Sequence, residues 1–165
     1  MKLRIDLEKE YGIVLEGGGA RGAYQIGVWK ALREAGMKIK GVAGTSVGAL
    51  NGALICMDDL GKAEEIWGNM TYSTVFNVDD SMIGKLKKFG VRSMKVTDAA
   101  AEFKRVVSDR GLDISPLKKL LEDTVDEERI RRSPRDFCAA SFSVTDRKEE
   151  DFDVKAAPPG TIKDI

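Results

Sequence analysis

The sequence predicts a three-layer α/β fold with a mostly parallel central sheet and helices on both faces. Three observations indicate this class. Strand-like runs alternate with helical periodicity over the first 60 or so residues, which is typical of β-α-β-α units. A glycine-rich turn follows each of the first two predicted strands. The chain has 165 residues, of which 42% are apolar and 33% charged, and this composition suits one domain with a hydrophobic core.

The first predicted strand is the apolar run Gly12–Leu15, and it ends at a run of glycines. This turn reads Gly-Gly-Gly-Ala-Arg-Gly over residues 17–22. A helix over Ala20–Ala35 should follow, because apolar residues recur there at helical spacing and Gly36 is a typical stop signal. Glycines at the mouth of a strand can direct backbone N–H groups at a developing oxyanion, which is what acyl transfer requires.

The second predicted strand, Lys38–Ala43, leads into residues 44–48, which read Gly-Thr-Ser-Val-Gly. This matches G-x-S-x-G, the elbow that exposes a serine on a sharp strand-to-helix turn. Ser46 is therefore the candidate nucleophile, and a helix should run over Val47–Met57. Both glycine-rich turns fall at the carboxyl ends of strands, where open α/β sheets bind their ligands.

The remaining elements follow from helical periodicity, proline positions and apolar runs. We predict helices over Asp58–Met70, Thr97–Arg110, from Ser115–Pro116 onward and over Asp126–Arg132, and strands over Phe137–Val144 and Phe152–Lys155, with a solvated turn at Asp146–Asp151 between the strands. Thr161 and Asp164 have the spacing of a helix N-terminal cap, so the chain should end inside a helix. We therefore expect residues 1–165 to be the amino-terminal part of a longer protein.

The chain contains no histidine, and this restricts the chemistry open to Ser46. A Ser-His-Asp arrangement is impossible, so the base must be a carboxylate, a lysine or a group from another chain. Zinc sites are excluded by the same absence, because two cysteines 82 positions apart make no plausible ligand set. No acidic cluster has calcium-ligand spacing, and we expect neither a metal nor a cofactor.

Charge, the amino-terminal residues and the cysteines indicate which partners and which cellular compartment to expect. Lys+Arg and Asp+Glu are equal at 27 each, so no global field favours nucleic acid. The first ten residues lack the apolar run of a secretion signal, and Cys56 and Cys138, which lie among apolar residues, are predicted to be reduced, buried thiols. These features predict a cytoplasmic protein. Residues 81–96 mix lysines with apolar side chains, which suits either a solvated cap or a peripheral contact with an anionic membrane.

The glycine turn at residues 17–22 followed by the elbow at 44–48 resembles the patatin-like phospholipases, of the bacterial type. The resemblance implies a fold related to cytosolic phospholipase A2 and hydrolysis of lipid acyl esters by a Ser-Asp dyad without histidine. Ser46 would be the nucleophile, and the N–H groups of Gly18, Gly19 and Val47 would form the oxyanion hole. Residues that would support the two motifs are Gly17, Arg21, Gly22, Gly44 and Gly48.

The base is the point at which this sequence departs from the family. The family's aspartate lies in an Asp-Gly-Gly or Asp-Gly-Ala motif well downstream of the serine, and no Asp-Gly dipeptide occurs here. We therefore expect residues 1–165 to form the amino-terminal part of a single patatin-like domain whose carboxy-terminal part, with that motif, is absent. Because a serine without its base is a poor nucleophile, this chain alone should hydrolyse esters slowly or not at all.

Two other functions remain as alternatives. One is a non-catalytic lipid-binding or regulatory relative of the same family. The other is a dinucleotide-binding domain, since the first turn also satisfies G-x-G-x-x-G; that fold expects an acidic residue about 20 positions later, and residues 35–57 contain none. The expected partner is a lipid or another acyl ester and not nucleic acid. The sequence does not indicate the oligomeric state, the acyl chain or the head group.

Overall fold

The computed structural model describes residues 6–75 and 113–164. These form two compact units: one contains residues up to Gly68 and from Val125 onward, and the other contains Asn69–Thr124. The basic and apolar stretch at residues 81–96 and the helix predicted at 97–110 both lie outside the described residues.

A four-stranded sheet forms the centre of the first unit, in the order β1-β2-β3-β4. Its strands are β1 (Glu10–Leu15), β2 (Lys38–Thr45), β3 (Asp136–Ser143) and β4 (Lys148–Asp153). β2 pairs in parallel with β1 and with β3, whereas β4 is antiparallel to β3. The predicted α/β class with a mostly parallel sheet is thereby confirmed.

Three helices of the first unit pack against one another: α1 (Gly22–Glu34), α2 (Val47–Cys56) and α3 (Leu60–Gly68). A single turn of 3₁₀-helix at Gly19–Arg21 precedes α1. α2 lies across the sheet, because a Cβ at Gly52 would stand 2.6 Å from the Phe137 ring and 3.3 Å from Val42. Leu54 and Ile55 of this helix are fully buried, so α2 is the centre of the core.

The opposite face of the sheet carries alternate residues of the same strands, since side chains of a strand alternate between faces. Val14, Ala43 and Cys138 share this face through the parallel register. Val14 is 83% exposed, so the described helices do not cover it. The helical layer expected on this face therefore stays a prediction.

Two short helices belong to the second unit, α4 (Tyr72–Val75) and α5 (Ser115–Thr124), and they contact each other. α5 begins where Ser115–Pro116 predicted a helix. The Asp113 carboxylate accepts hydrogen bonds from the Ser115 N–H at 2.9 Å and from its hydroxyl at 2.6 Å, which fixes the residues at the start of the helix.

The carboxy-terminal part of the described chain corrects two predictions. β4 starts at Lys148 rather than at Phe152, because the charged run that we read as a turn pairs with β3 as an exposed edge strand. Thr161 does not cap a helix. Its hydroxyl donates to the Pro158 carbonyl at 2.7 Å, and the segment forms one 3₁₀ turn at Ile162–Asp164. By contrast, α6 (Glu127–Arg132) is capped by Asp126, which accepts from the Arg129 N–H.

Candidate active site

Ser46 occupies the turn between the end of β2 and the start of α2, with φ 53° and ψ −126°. A positive φ is rare for a residue with a side chain and is typical of strained functional positions. The side chain is exposed and does not cap α2. No hydrogen-bond acceptor contacts its hydroxyl in the part of the chain that the structure describes. The hydroxyl is thus presented to solvent without a base beside it among those residues.

The two glycines that flank Ser46 are required by close backbone contacts. A Cβ at Gly44 would collide with the carbonyl group of Gly48, one turn into α2. A Cβ at Gly48 would in turn collide with the carbonyl of Leu15 at the end of β1. The small residues of the elbow therefore let α2 start directly against both strands, as the motif predicts.

The glycine loop lies beside the elbow. A Cβ at Gly17 would be 3.3 Å from the Cβ of Ser46, so the loop and the serine are in direct contact. Gly18 and Gly19 have φ of 149° and 56°, which favour glycine. Within residues 6–75 and 113–164, no acceptor contacts the N–H of either glycine. The N–H of Val47, the first of α2, is likewise left without an intrahelical acceptor.

Arg21 lies over the loop, with its guanidinium against Gly18. A Cβ at Gly18 would be 2.8 Å from Nε of Arg21. The guanidinium also pairs with Glu16, Nη1 to Oε1, at 3.7 Å. Both side chains are about three-quarters exposed, at 73% and 74%, so this ion pair contributes little stability. Its effect is to place a positive charge next to the glycines.

A buried hydrogen-bond network behind the loop involves residues that the sequence analysis did not single out. Asn51 is fully buried and bonds to Gly22, Gln25 and Trp67. Its sequence signal is that it is the one polar side chain in α2, which otherwise reads Val-Gly-Ala-Leu and Gly-Ala-Leu-Ile-Cys. Gly22 itself is buried against the Trp67 ring and Val47, so this predicted motif residue is fixed by packing.

A groove of about 450 Å³ lies along β1 and α1. Its wall includes Glu16, Ala20 and Arg21 from the loop and Tyr24 and Val28 from α1. Ser46 does not line it. The groove therefore adjoins the glycine loop, and the serine lies outside it.

The described residues also include two cysteine thiols. Burial raises the pKa of the Cys56 thiol to about 11, and burial is also the main cause that raises the pKa of Cys138. Both cysteines are free, as predicted, although Cys138 is only half-buried. Among the described residues, no group of three potential ligands could hold a metal ion. None of the described helices has the length and apolarity needed to cross a membrane.

Comparison with known proteins identifies relatives. The family model described as "Patatin-like phospholipase" matches residues 13–165. A "Lysophospholipase nte1" of Aspergillus terreus is 46% identical over 76 residues, which are 43% of this chain and 5% of that protein. A "Neuropathy target esterase sws" of Drosophila sechellia is 60% identical over 47 residues, 28% of this chain and 3% of that protein. The chain thus spans a small part of these relatives.

A solved structure supports the same fold. VipD from Legionella pneumophila superposes with a TM-score of 0.56 over 93% of this chain and 41% of that chain, at 16% sequence identity. The family model covers nearly all of the sequence, from the first strand through the elbow to the last described turn. This chain belongs to the patatin-like phospholipase family.

Proposed function

We propose that this chain supplies the nucleophile and the oxyanion hole of a lipid acyl hydrolase, a phospholipase A-type serine esterase. The observation that carries the proposal is the exposed, positive-φ Ser46 in contact with the glycine loop. Membership of the patatin-like phospholipase family supports it, as do relatives named as a lysophospholipase and an esterase.

In the proposed reaction, Oγ of Ser46 attacks the carbonyl carbon of the ester while its proton passes to a base. The oxyanion that forms accepts hydrogen bonds from N–H groups of Gly18, Gly19 and Val47, which have no other described acceptor. Val47 adds the positive end of the α2 dipole. Collapse of the tetrahedral intermediate expels the alcohol, which takes a proton from the base, and water then hydrolyses the acyl-serine.

The proposed base is an aspartate, forming a Ser-Asp dyad. This agrees with the absence of histidine. We assign the role to no aspartate of this chain, because none lies in an Asp-Gly sequence and none that the structure describes bonds to Ser46. We accordingly propose that the chain alone is weakly active or inactive, and that a longer chain with the Asp-Gly-Gly or Asp-Gly-Ala motif is active.

The proposed setting is the cytoplasm, with lipid or another acyl ester as substrate and, as an alternative, peripheral contact with the membrane surface. Arg21 suits a lipid phosphate as well as it suits the loop, since its guanidinium is exposed beside Gly18.

Two measurements test the proposed function. A fluorophosphonate should form an adduct at Ser46 in a longer chain that carries the downstream motif, and Ser46→Ala should abolish it. Turnover of a short-chain aryl ester should be much faster for that longer chain than for residues 1–165. No adduct in the longer chain would favour a non-catalytic lipid-binding relative. Equal turnover by the two chains would mean that the base lies within residues 1–165.

A further inference from the structure

The run Gly17–Gly19 has no side chains to stiffen it, so the position of the glycine loop depends on what holds its two ends, in addition to the Arg21 guanidinium that lies against Gly18. The loop begins after Glu16 and ends at Gly22, where α1 starts. Nε2 of Gln25 donates to the Glu16 carbonyl at 2.8 Å. Nδ2 of Asn51 donates to the Gly22 carbonyl at 3.0 Å. Both ends of the loop are therefore held by side-chain amides.

The two amides are joined to each other and to α3. Nδ2 of Asn51 also donates to Oε1 of Gln25 at 2.8 Å, and Oδ1 of Asn51 accepts from the Trp67 indole at 2.7 Å. An indole N–H can only donate, so it orients Asn51 with its oxygen toward Trp67 and its amino group toward Gln25. Gln25 must then present its oxygen to Asn51 and its amino group to Glu16. The donor–acceptor direction is fixed along the whole chain of bonds.

Asn51 lies five residues after Ser46 on the helix that the serine precedes. A fully buried amide is costly unless it is hydrogen-bonded, and this one makes three bonds. Because two of these bonds lead to the loop, the network couples the position of α2, and with it Ser46, to the position of Gly17–Gly19. If this network served only to pack the core, it would not need to end on the carbonyls of Glu16 and Gly22, one at each end of the loop.

We propose that Gln25, Asn51 and Trp67 are positioning residues that hold the glycine loop in register with Ser46 as the oxyanion forms. This inference rests on the proposed function for its catalytic consequence. Its structural consequence, an ordered loop, stands independently of any activity. Loss of the network should lower the rate of reaction at Ser46 more than it lowers the affinity for an ester.

Gln25 is the residue to change, since it is half-buried and its replacement leaves the core packing of Asn51 in place. Gln25→Met keeps the length and removes both bonds. Gln25→Glu keeps the acceptor for Asn51 but cannot donate to the Glu16 carbonyl, so it should fail in the same way. Lys30→Met is the matched control: Lys30 is also on α1 and bonds across to Glu64 of α3 at 2.8 Å, but it does not contact the loop.

The first measurement uses residues 1–165 and NMR relaxation of the Gly18 and Gly19 amides. Both Gln25 variants should lower their order parameters from about 0.85 toward about 0.6, whereas Lys30→Met should leave them unchanged. Order parameters that stay at the wild-type value in Gln25→Met and Gln25→Glu would overturn the inference. Recovery of wild-type order in Gln25→Glu alone would refute the donor–acceptor direction on which it depends.

The second measurement uses the longer chain and the rate of Ser46 phosphonylation. The Gln25 variants should react about tenfold more slowly than wild type at unchanged KM for an aryl ester, and Lys30→Met within about twofold of it. A rise in KM with unchanged rate would overturn the catalytic part of the inference. A wild-type protein that forms no adduct would refute the proposed function, and the loop order parameters would still decide the positioning role.

Discussion

The backbone at Ser46 provides a direct test of the elbow. A side chain at φ 53° and ψ −126° costs about 1–3 kcal/mol, because the Cβ crowds the neighbouring main chain. Ser46→Ala removes the hydroxyl but keeps the Cβ, and so keeps the strain. Ser46→Gly removes both. The two variants therefore differ only in the Cβ at this position.

The expected difference follows from two opposing effects. Removal of the Cβ should recover about 1–3 kcal/mol of strain in the folded state. Glycine also makes the unfolded chain more flexible, which costs about 0.4–1 kcal/mol. With both effects at the middle of their ranges, Ser46→Gly should have a free energy of unfolding about 1 kcal/mol higher than Ser46→Ala. At about 2–4 °C per kcal/mol for a chain of this size, the melting temperature should rise by several degrees.

Urea denaturation followed by tryptophan fluorescence measures this difference, since Trp29 is buried in the core. The matched control is the same pair of substitutions at Ser133, where φ is −57° and a Cβ is unstrained. There the glycine variant should be the less stable of the two. If Ser46→Gly is no more stable than Ser46→Ala, the turn is not strained and the elbow geometry is wrong.

Three further predictions concern packing, thiols and pH. Gly44→Ala should lower the free energy of unfolding by about 3 kcal/mol, because the added Cβ would collide with backbone atoms. The control is Gly12→Ala, which should change it by under about 1 kcal/mol because no atom lies within 4 Å of the added Cβ; equal urea midpoints for the two variants would contradict this prediction. Iodoacetamide should alkylate the half-buried Cys138 before Cys56, whose pKa is raised to about 11, and peptide mapping that finds the reverse order would contradict the burial. Hydrogen bonds from a backbone N–H and a guanidinium lower the pKa of Glu127 below its ordinary 4.5, so its stabilisation is present above that pH and is lost as the pH falls through the folded value. The urea midpoints of wild type and Glu127→Gln should therefore differ at neutral pH and converge as the pH falls through the folded pKa of Glu127, and a constant difference would refute the assignment.

A local sequence pattern predicts those helices and strands that form because of residues close to them in the sequence. β1, β2 and α2 were predicted to within a few residues, because a glycine-rich turn ends each of the two strands and α2 is an apolar run that follows the second turn. β4 was not predicted as it is, because its residues Lys-Glu-Glu-Asp-Phe-Asp have no strand pattern. It is a strand because β3 pairs with it, and that pairing is set by tertiary structure rather than by local propensity.

The candidate site divides in the same way. Ser46 and the two sets of glycines can be predicted from the sequence, because a sharp turn and a close backbone approach each require particular residue types. The roles of Gln25, Asn51 and Trp67 cannot be predicted in this way, because their hydrogen bonds join residues that are 16 to 29 positions apart and lie on three helices. One signal was present, a single asparagine in an otherwise apolar helix, but a lone polar residue does not name its partners.

The strain at Ser46 and the contact with the glycine loop have one physical origin. The elbow persists only if the surrounding structure holds it more strongly than the strain opposes it. α2 provides that excess, because burial of Leu54 and Ile55 contributes about 1.5–3 kcal/mol each, together more than the strain of about 1–3 kcal/mol. The same docking of α2 brings Gly48 against the Leu15 carbonyl and Gly17 against Ser46. Substitutions that loosen α2 in the core should therefore relax the serine and displace the loop together, whereas Gln25→Met should displace the loop and leave the strain at Ser46 in place.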